Sequence, residues 1–586
     1  RYFFFDNWNI PNDFDRTVPQ VFPTTAPGNF SWCDSVQKVV MTTFYPYQWD
    51  LNYANPTVFN DMTENLFFLC NQGADIIRLD AVPYIWKALG TTCRNLPQVH
   101  TLVRIMRMAV EIVCPATQLL GEVVMEPSKV VPYFGTLEKP ECSMLYNVTT
   151  MAATWHTVAT RDVRLMKHQL GQIFALPKQY LFLNYLRCHD DIGWGLDYDF
   201  LKQFGVDEVG HKRFLNDFFR GYFYGSDARG ELYNDDPRIG DARLCGTTAS
   251  LCGIEAAEYE GNQWKLDRAI SLDIMLHAFL FTLSGIPVIY SGDEIGQRND
   301  YSYHEDPYKW DDSRYLHRGN FSWEDAKKRK DPTTREGRIF TALRELETIR
   351  ATHEVFRAEA DTWIMETYND HILGIGRYYN GEKLVALFNF DVQDGTAWIN
   401  EPEEYRNLLN GDRCRATAYG LPAFGFVWLY WSKEEEIEAA KQAEAAREAA
   451  EKQAEKERKA EARKKAAEEK KAAKAAEEAA AKAEAEEAAA KQAAEEAAAK
   501  AEAEEAAAKA EAEEAAAKQA AEEAAAKAEA EEAAAKAAAE EAAAKAAAEE
   551  AARKTVEAIM KIERAAKKSG TGAKTKRTAK KKGSKK

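Results

Sequence analysis

KQYLFLNYLRCHDDIGW, residues 178–194, joins an apolar run to a histidine and two adjacent carboxylates. The run has the length and residue types of a buried strand, so His189, Asp190 and Asp191 stand where that strand leaves its core. Two earlier stretches repeat the arrangement: ADIIRLDAV (74–82) ends in Asp80, and QLLGEVV (118–124) carries Glu122. Helix-like stretches lie between them, VFNDMTENLFFLCNQG (58–73) and VHTLVRIMRMAVEIV (99–113), and a further one spans 149–170. After a long polar insertion come DRAISLDIMLHAFLFTLS (267–284) and the strand-like GIPVIYSGDE (285–294). Strands alternating with helices at this spacing indicate parallel β/α architecture. From Thr362 to Tyr430 the pattern changes to short alternating strands with turn residues, as in HILGIGRYYNGEKLVALFNF (371–390), which reads as a small antiparallel β domain.

In a β/α barrel the C-terminal strand ends gather on one face, where the chemistry is built. Arg78 and Asp80 are two apart and share one side of their strand, leaving Ile77 and Leu79 to face the helices. A guanidinium beside Asp80 keeps that carboxylate ionised, which suits a nucleophile. Glu122 has Leu119, Leu120 and Val123 around it, a setting that favours a proton donor. Two carboxylates with divided roles are what glycosidic-bond cleavage requires. A single acid at a strand end is more often a helix cap, and Arg78–Asp80 alone reads equally as a structural ion pair. Acids at three strand ends are much harder to explain in those ways.

These segments resemble three conserved segments of the α-amylase superfamily (glycoside hydrolase family 13). YQWDLNY (47–53) is similar to the end of that family's domain B, and GIPVIYSGDE to its eighth strand. QWDLNYANP, DAVPYIWKALGTTCRNLPQVH, RCHDDIGW, GDARLCGTTASL and DDSRY follow, in order over nearly all of 1–431, the pattern of the amylosucrases within that superfamily. The resemblance implies an α/β fold: a (β/α)8 TIM barrel followed by a C-terminal antiparallel β domain. It also implies retaining transfer of glucose from sucrose to an α-glucan or oligosaccharide, with release of fructose. Asp80 is then the nucleophile, Glu122 the acid/base, and Asp190 the stabiliser of the oxocarbenium-like transition state, with Arg78 and His189 completing the glucosyl pocket. Asp191 and Arg243 match residues that hold the fructosyl unit; without the resemblance Arg243 reads as a surface arginine. Arg314 matches an arginine that closes the pocket. The implied mechanism needs no metal or organic cofactor. A sucrose or α-glucoside hydrolase fits the same motifs.

The first three barrel strands of that family, with the Asp and His of its first conserved segment, have no counterpart here. The expectation is therefore a barrel lacking strands one to three, Arg314 without its acidic partner, and impaired turnover. The expected organisation is 1–56, the remainder of domain B; 57–354, the barrel, with an insertion at about 195–265; and 355–431, the β domain.

Beyond Ser432 the chain is almost entirely Ala, Glu, Lys and Gln, and a Glu-Glu pair recurs every nine residues from 477 to 549. Such a composition predicts a solitary charged helix over 432–568, with no apolar seam for a coiled coil. Residues 569–586 read as a disordered basic tail. Lys567–Lys586 holds 10 Lys/Arg and no acid, in a chain of 586 residues with net charge −16. The tail reads first as simply solvated, and second as a weak attachment to an anionic polymer. A non-catalytic scaffold or attachment protein built on the helix and tail is the rival to the enzyme reading. The nine scattered cysteines, none in a CxxC pair, suggest reduced thiols and a cytoplasmic setting. No apolar run is long enough for a membrane span.

Overall fold

The computed structural model describes residues 1–493 apart from 416, with side chains described as far as 474. A three-stranded antiparallel sheet comes first, from β1 (Phe4–Phe5), β2 (Phe30–Cys33) and β3 (Lys38–Met41), with β3 central. Val39 and Met41 bury one face of β3 against Phe14, Val18, Phe30 and Cys93.

Parallel strands then alternate with helices. Helix α1 (Pro56–Asn71) opens with Pro56 in its first turn, and the Asn55 side chain accepts from the Thr57 N–H. β4 (Ile76–Leu79) follows, then α2 (Pro97–Val113), again begun by proline, β5 (Gln118–Gly121) and β6 (Met144–Tyr146). Ile77 and Leu79 pack against Leu66 of α1 and Met106 and Val110 of α2, the helix-facing side expected of them. Gly121 ends β5 under steric pressure: a Cβ there would lie 2.5 Å from Cys142 Sγ and 2.9 Å from Leu145 Cδ2. Only glycine lets β5 run this close to its neighbour, immediately before Glu122.

The helical stretch expected over 149–170 is two helices, α3 (Val148–Thr160) and α4 (Arg164–Phe174). Arg161 at φ 60° turns the chain left-handed, and its N–H satisfies Thr157 O. Asp162 then accepts from the Arg164 N–H to start the second helix. β7 (Leu181–Tyr185) follows. In the insertion lies a hairpin of β8 (Glu231–Asp236) and β9 (Asp241–Cys245). Helix α5 (Gln263–Thr282) leads to β10 (Ile286–Val288), and α6 (Arg335–Thr352) closes the α/β part.

β10, β7, β6, β5 and β4 form one parallel sheet in that order, with β10 and β4 at its edges. Among the described residues this sheet stays open, so the expected barrel is represented by five parallel strands, with no closure. The antiparallel sheet predicted after it is present, in the order β11 (Asp361–Met365), β12 (Ile372–Tyr379), β13 (Glu382–Asn389), β18 (Phe426–Ser432), β15 (Glu404–Asn407) and β16 (Arg413–Arg415). β14 (Gly395–Trp398) pairs with β17 (Ala418–Leu421) beside it. Arg377 of β12 is fully buried and donates to the carbonyls of Thr282, Val355 and Arg357, joining this sheet to the end of α5.

The chain divides into two compact units, Arg1–Arg447 and Glu448–Lys586. Helix α7 (Lys433–Ala493) begins in the first, where Glu435 pairs with Arg406 at 2.6 Å. From Glu436 to Lys474 every side chain is exposed, as a solitary helix requires. The predicted continuation of the helix to 568 and the basic tail lie outside the described residues. No helix of the described residues is long and apolar enough to cross a membrane, and all nine cysteines are free thiols.

Candidate active site

Parallel register brings the ends of β4, β5 and β7 to one edge of the sheet, and a single guanidinium organises what they carry. Arg78 Nη1 pairs with Asp80, while its Nη2 lies 3.2 Å from Glu122 Oε1 and 3.7 Å from Asp190 Oδ2. Its face rests 5.7 Å from the Tyr146 ring centroid. Burial opposes the charge on Arg78, but Glu122 and Asp80 outweigh it and hold the guanidinium firmly cationic. The three acids picked out at strand ends are therefore brought together.

Their environments differ. The Asp80 side chain is 73% exposed, that of Asp190 31%, and that of Glu122 only 16%. Burial pushes the Glu122 carboxyl up to about 7, against the pull of Arg78 and of the Ala81 N–H, with Asp80 and Asp190 adding to the rise. Ala81 sits at φ 48°, a left-handed conformation uncommon for a residue with a Cβ, and its N–H donates to Glu122 Oε2 at 2.7 Å. The turn after Asp80 thus ties the second acid to the first. A proton-bearing carboxyl beside an arginine-paired, solvent-facing carboxylate can protonate a leaving oxygen while the other attacks carbon.

His189 Nε2 lies 3.3 Å from Asp190 Oδ2, and burial lowers its proton affinity. Asp191 meets Arg243 Nη1 at 3.1 Å: the β8–β9 hairpin returns over the sheet through backbone bonds between Ile192 and Leu244, carrying Arg243 inward. Arg243 is accordingly no stray surface arginine. Phe22 separates it from Arg314, its ring centroid 5.5 Å from the Arg243 Cζ and 5.9 Å from the Arg314 Cζ.

Arg314 pairs within its own segment, a contact separate from the acid that the resemblance would give it. Asp312 accepts from Nε and Nη2 at 2.8 Å each, because the short helical turn Ser313–His317 folds the Asp312 carboxylate back over its own first residues. Arg314 also approaches Asp190 to 4.0 Å. Arg318, which the sequence reading did not single out, lies closer, its Nη2 3.3 Å from Asp190 Oδ1. The only hint in the sequence was its position four residues beyond Arg314, on an irregular segment with no periodicity to place it.

Cys188, His189 and Asp190 offer ligand atoms within 4.8 Å of one another, a cluster worth testing as a metal site. It suits a cation poorly: burial pushes the Cys188 thiol up to about 12, and three guanidiniums converge on Asp190.

Residues 2–191 match the model of the alpha-amylase catalytic domain. This supports the alpha-amylase family. Glucosylglycerate phosphorylase from Allomeiothermus silvanus is 28% identical over 353 residues, 60% of this chain and 59% of that protein. Glucosylglycerate phosphorylase from Escherichia coli is 26% identical over 375 residues, 64% of this chain and 63% of that protein. Trehalose synthase from Pimelobacter is 28% identical over 296 residues, 49% of this chain and 45% of that one. The chain therefore spans less than two thirds of the length of these relatives. Among solved structures, sucrose 6F-phosphate phosphorylase from Thermoanaerobacter thermosaccharolyticum aligns with TM-score 0.49 at 18% identity, over 70% of this chain and 72% of that one. The relatives matched in sequence are phosphorylases and a trehalose synthase, and they do not single out the amylosucrases.

Proposed function

We propose that this chain transfers glucosyl units with retention, from sucrose to an α-glucan, through a covalent adduct on Asp80. Glu122 gives its proton to the fructosyl oxygen as Asp80 attacks the anomeric carbon, and the C–O bond to fructose breaks; Glu122 then takes the proton of the acceptor hydroxyl as that oxygen bonds to the anomeric carbon, and the glucosyl–Asp80 bond breaks to restore the carboxylate. Asp190, His189 and Arg78 hold the glucosyl ring, and Asp191 with Arg243 the fructosyl unit. Arg314 lies at the rim. The observation that carries the reading is the Arg78 guanidinium shared by Asp80, Glu122 and Asp190, with Glu122 raised to about 7.

The named relatives favour a second reading, phosphorolysis of a glucoside. Charge pairing weighs against it. Arg78, Arg243, Arg314 and Arg318 each already face a carboxylate, so a phosphate would meet guanidiniums whose charge is already partly balanced, whereas neutral sugar hydroxyls can bridge the pairs. Because Asp80 is largely exposed, water is poorly excluded and turnover is expected to be low.

A trap suited to a slow enzyme tests the assignment. The Glu122→Gln variant, given α-glucosyl fluoride, whose leaving group needs no acid, should accumulate one glucosyl unit on the peptide bearing Asp80. Wild-type protein given sucrose should release fructose, with or without phosphate. A label on any other residue removes the Asp80 assignment, and strictly phosphate-dependent release favours the phosphorylase.

A further inference from the structure

The loop from Leu186 to Ile192 carries three residues of the site and is pinned at its far end by the backbone pair of Ile192 with Leu244. Its middle, at His189, is held by the segment after Arg314. His317 is 4% exposed and uses both ring nitrogens. The Gly246 N–H lies 3.1 Å from Nδ1, and Nε2 faces the His189 carbonyl oxygen at 3.2 Å. Arg318 Nε donates to the same carbonyl at 2.6 Å.

A backbone N–H can only donate and a carbonyl can only accept. Nδ1 must therefore be bare and Nε2 protonated, and one neutral tautomer alone satisfies both partners. Gly246 directly follows β9, the strand that brings in Arg243. The imidazole is thus a spacer of fixed length between the Arg243 hairpin and the His189–Asp191 loop.

We infer that His317 is a positioning residue that sets the Asp190 loop against the Arg243 hairpin, through a hydrogen bond from Nε2 to the His189 carbonyl. The inference rests on the role proposed above for Asp190. His317 reaches the reacting atoms only through the backbone, so it is not itself catalytic. Burial, with the Arg187, Arg318 and Arg314 guanidiniums nearby, holds the imidazole well below its usual range and preserves the single tautomer at neutral pH.

Two near-isosteric variants separate the two links. His317→Gln can still donate to the His189 carbonyl but no longer reaches Gly246; His317→Asn does the reverse. With α-glucosyl fluoride as donor, His317→Gln should keep kcat within about fivefold of wild type. His317→Asn and His317→Ala should lose about 100-fold in kcat with little change in KM, the cost of a misplaced stabilising carboxylate. A purely structural histidine would instead make kcat track Tm across all three variants, and that result, or equal loss in Gln and Asn, overturns the inference. The tautomer is checked independently by 15N NMR of histidine-labelled protein, the His317 signals being those that vanish in His317→Gln. A bare Nδ1 with protonated Nε2 at pH 7 supports the clamp. A protonated Nδ1 overturns it whatever the activity, so failure of the sucrose reading and failure of this inference remain distinguishable.

Discussion

At the residue scale, Glu122 links chemistry to stability. Its carboxyl is raised from 4.5 to about 7 in the folded chain, so between those values the native state holds a proton that the unfolded state has released. Stability from this group therefore falls as pH rises through that window. Activity moves in the same direction, because a proton donor is needed: the rate with sucrose should decline as pH rises past about 7. Glu122→Gln cannot titrate. It should lose at least about 100-fold in sucrose cleavage while gaining on the order of 2 kcal/mol over wild type at pH 8, where the buried charge is costly. Urea unfolding at pH 5 and pH 8 checks this, and an equal stability difference at both pH values would sink it. The residues legible in the sequence were those that strand periodicity places: Arg78, Asp80, Glu122 and Asp190 follow from where apolar runs end. Asp312, His317 and Arg318 were not legible as a group, since an irregular loop gives no period from which to project a side chain. The local pairing of Arg314 with Asp312, two residues away, was not read from the sequence either.

At the scale of elements, the acid loop depends on helix α3 as much as on its own strand. Trp155 is fully buried, meets Phe219 edge-on at 5.6 Å, and donates from Nε1 to the Leu186 carbonyl at 2.7 Å. That carbonyl belongs to the first residue after β7, so the indole satisfies the backbone where the sheet stops doing so. Trp155→Phe keeps an aromatic ring but leaves the oxygen without its donor. The expected cost is about 2 kcal/mol, read as a lower denaturation midpoint with unchanged slope. An unchanged midpoint would mean that water replaces the indole. Sequence could announce α3 and α4 as helical but not separate them. No glycine or proline marks the break, and Arg161 adopts a left-handed conformation for which its residue type gives no signal. The β8–β9 hairpin was similarly opaque, because a polar stretch reads as insertion until Ile192 and Leu244 are seen to pair.

At the scale of the whole molecule, the first unit has a definable end and an unfinished surface. Glu435 pairs with Arg406, and its N–H is capped by Ser432 Oγ, so the opening turn of α7 belongs to the folded unit. A chain ending at Arg447 should keep the thermal transition of the first unit, while one ending at Ser432 loses the Arg406 pair and about 0.5 kcal/mol; differential scanning calorimetry separates the two. The surface is the larger matter. Helix α2 has a polar face of His100, Arg104, Arg107 and Glu111, but its apolar residues extend beyond the buried side: Val99, Val103 and Val110 are buried, yet Ile112 is 80% exposed and Met108 and Val113 stand beside it. Phe68 of α1 is 62% exposed, and Ile76 and Ile286 lie open on the two edge strands of the parallel sheet. Apolar residues outside the buried stripe of a helix ordinarily meet a partner surface, and unpaired strand edges template association. The first unit should therefore bind a hydrophobic dye in its native state and self-associate with rising concentration. The double variant Phe68→Lys, Ile112→Lys should lower both without shifting the unfolding midpoint by more than about 0.5 kcal/mol, because neither side chain is supported by packing. Light scattering and dye fluorescence, each compared with the midpoint, decide it. A loss of stability in the variant would mean that this face is already covered within the fold, and unchanged self-association would move the cause to the strand edges.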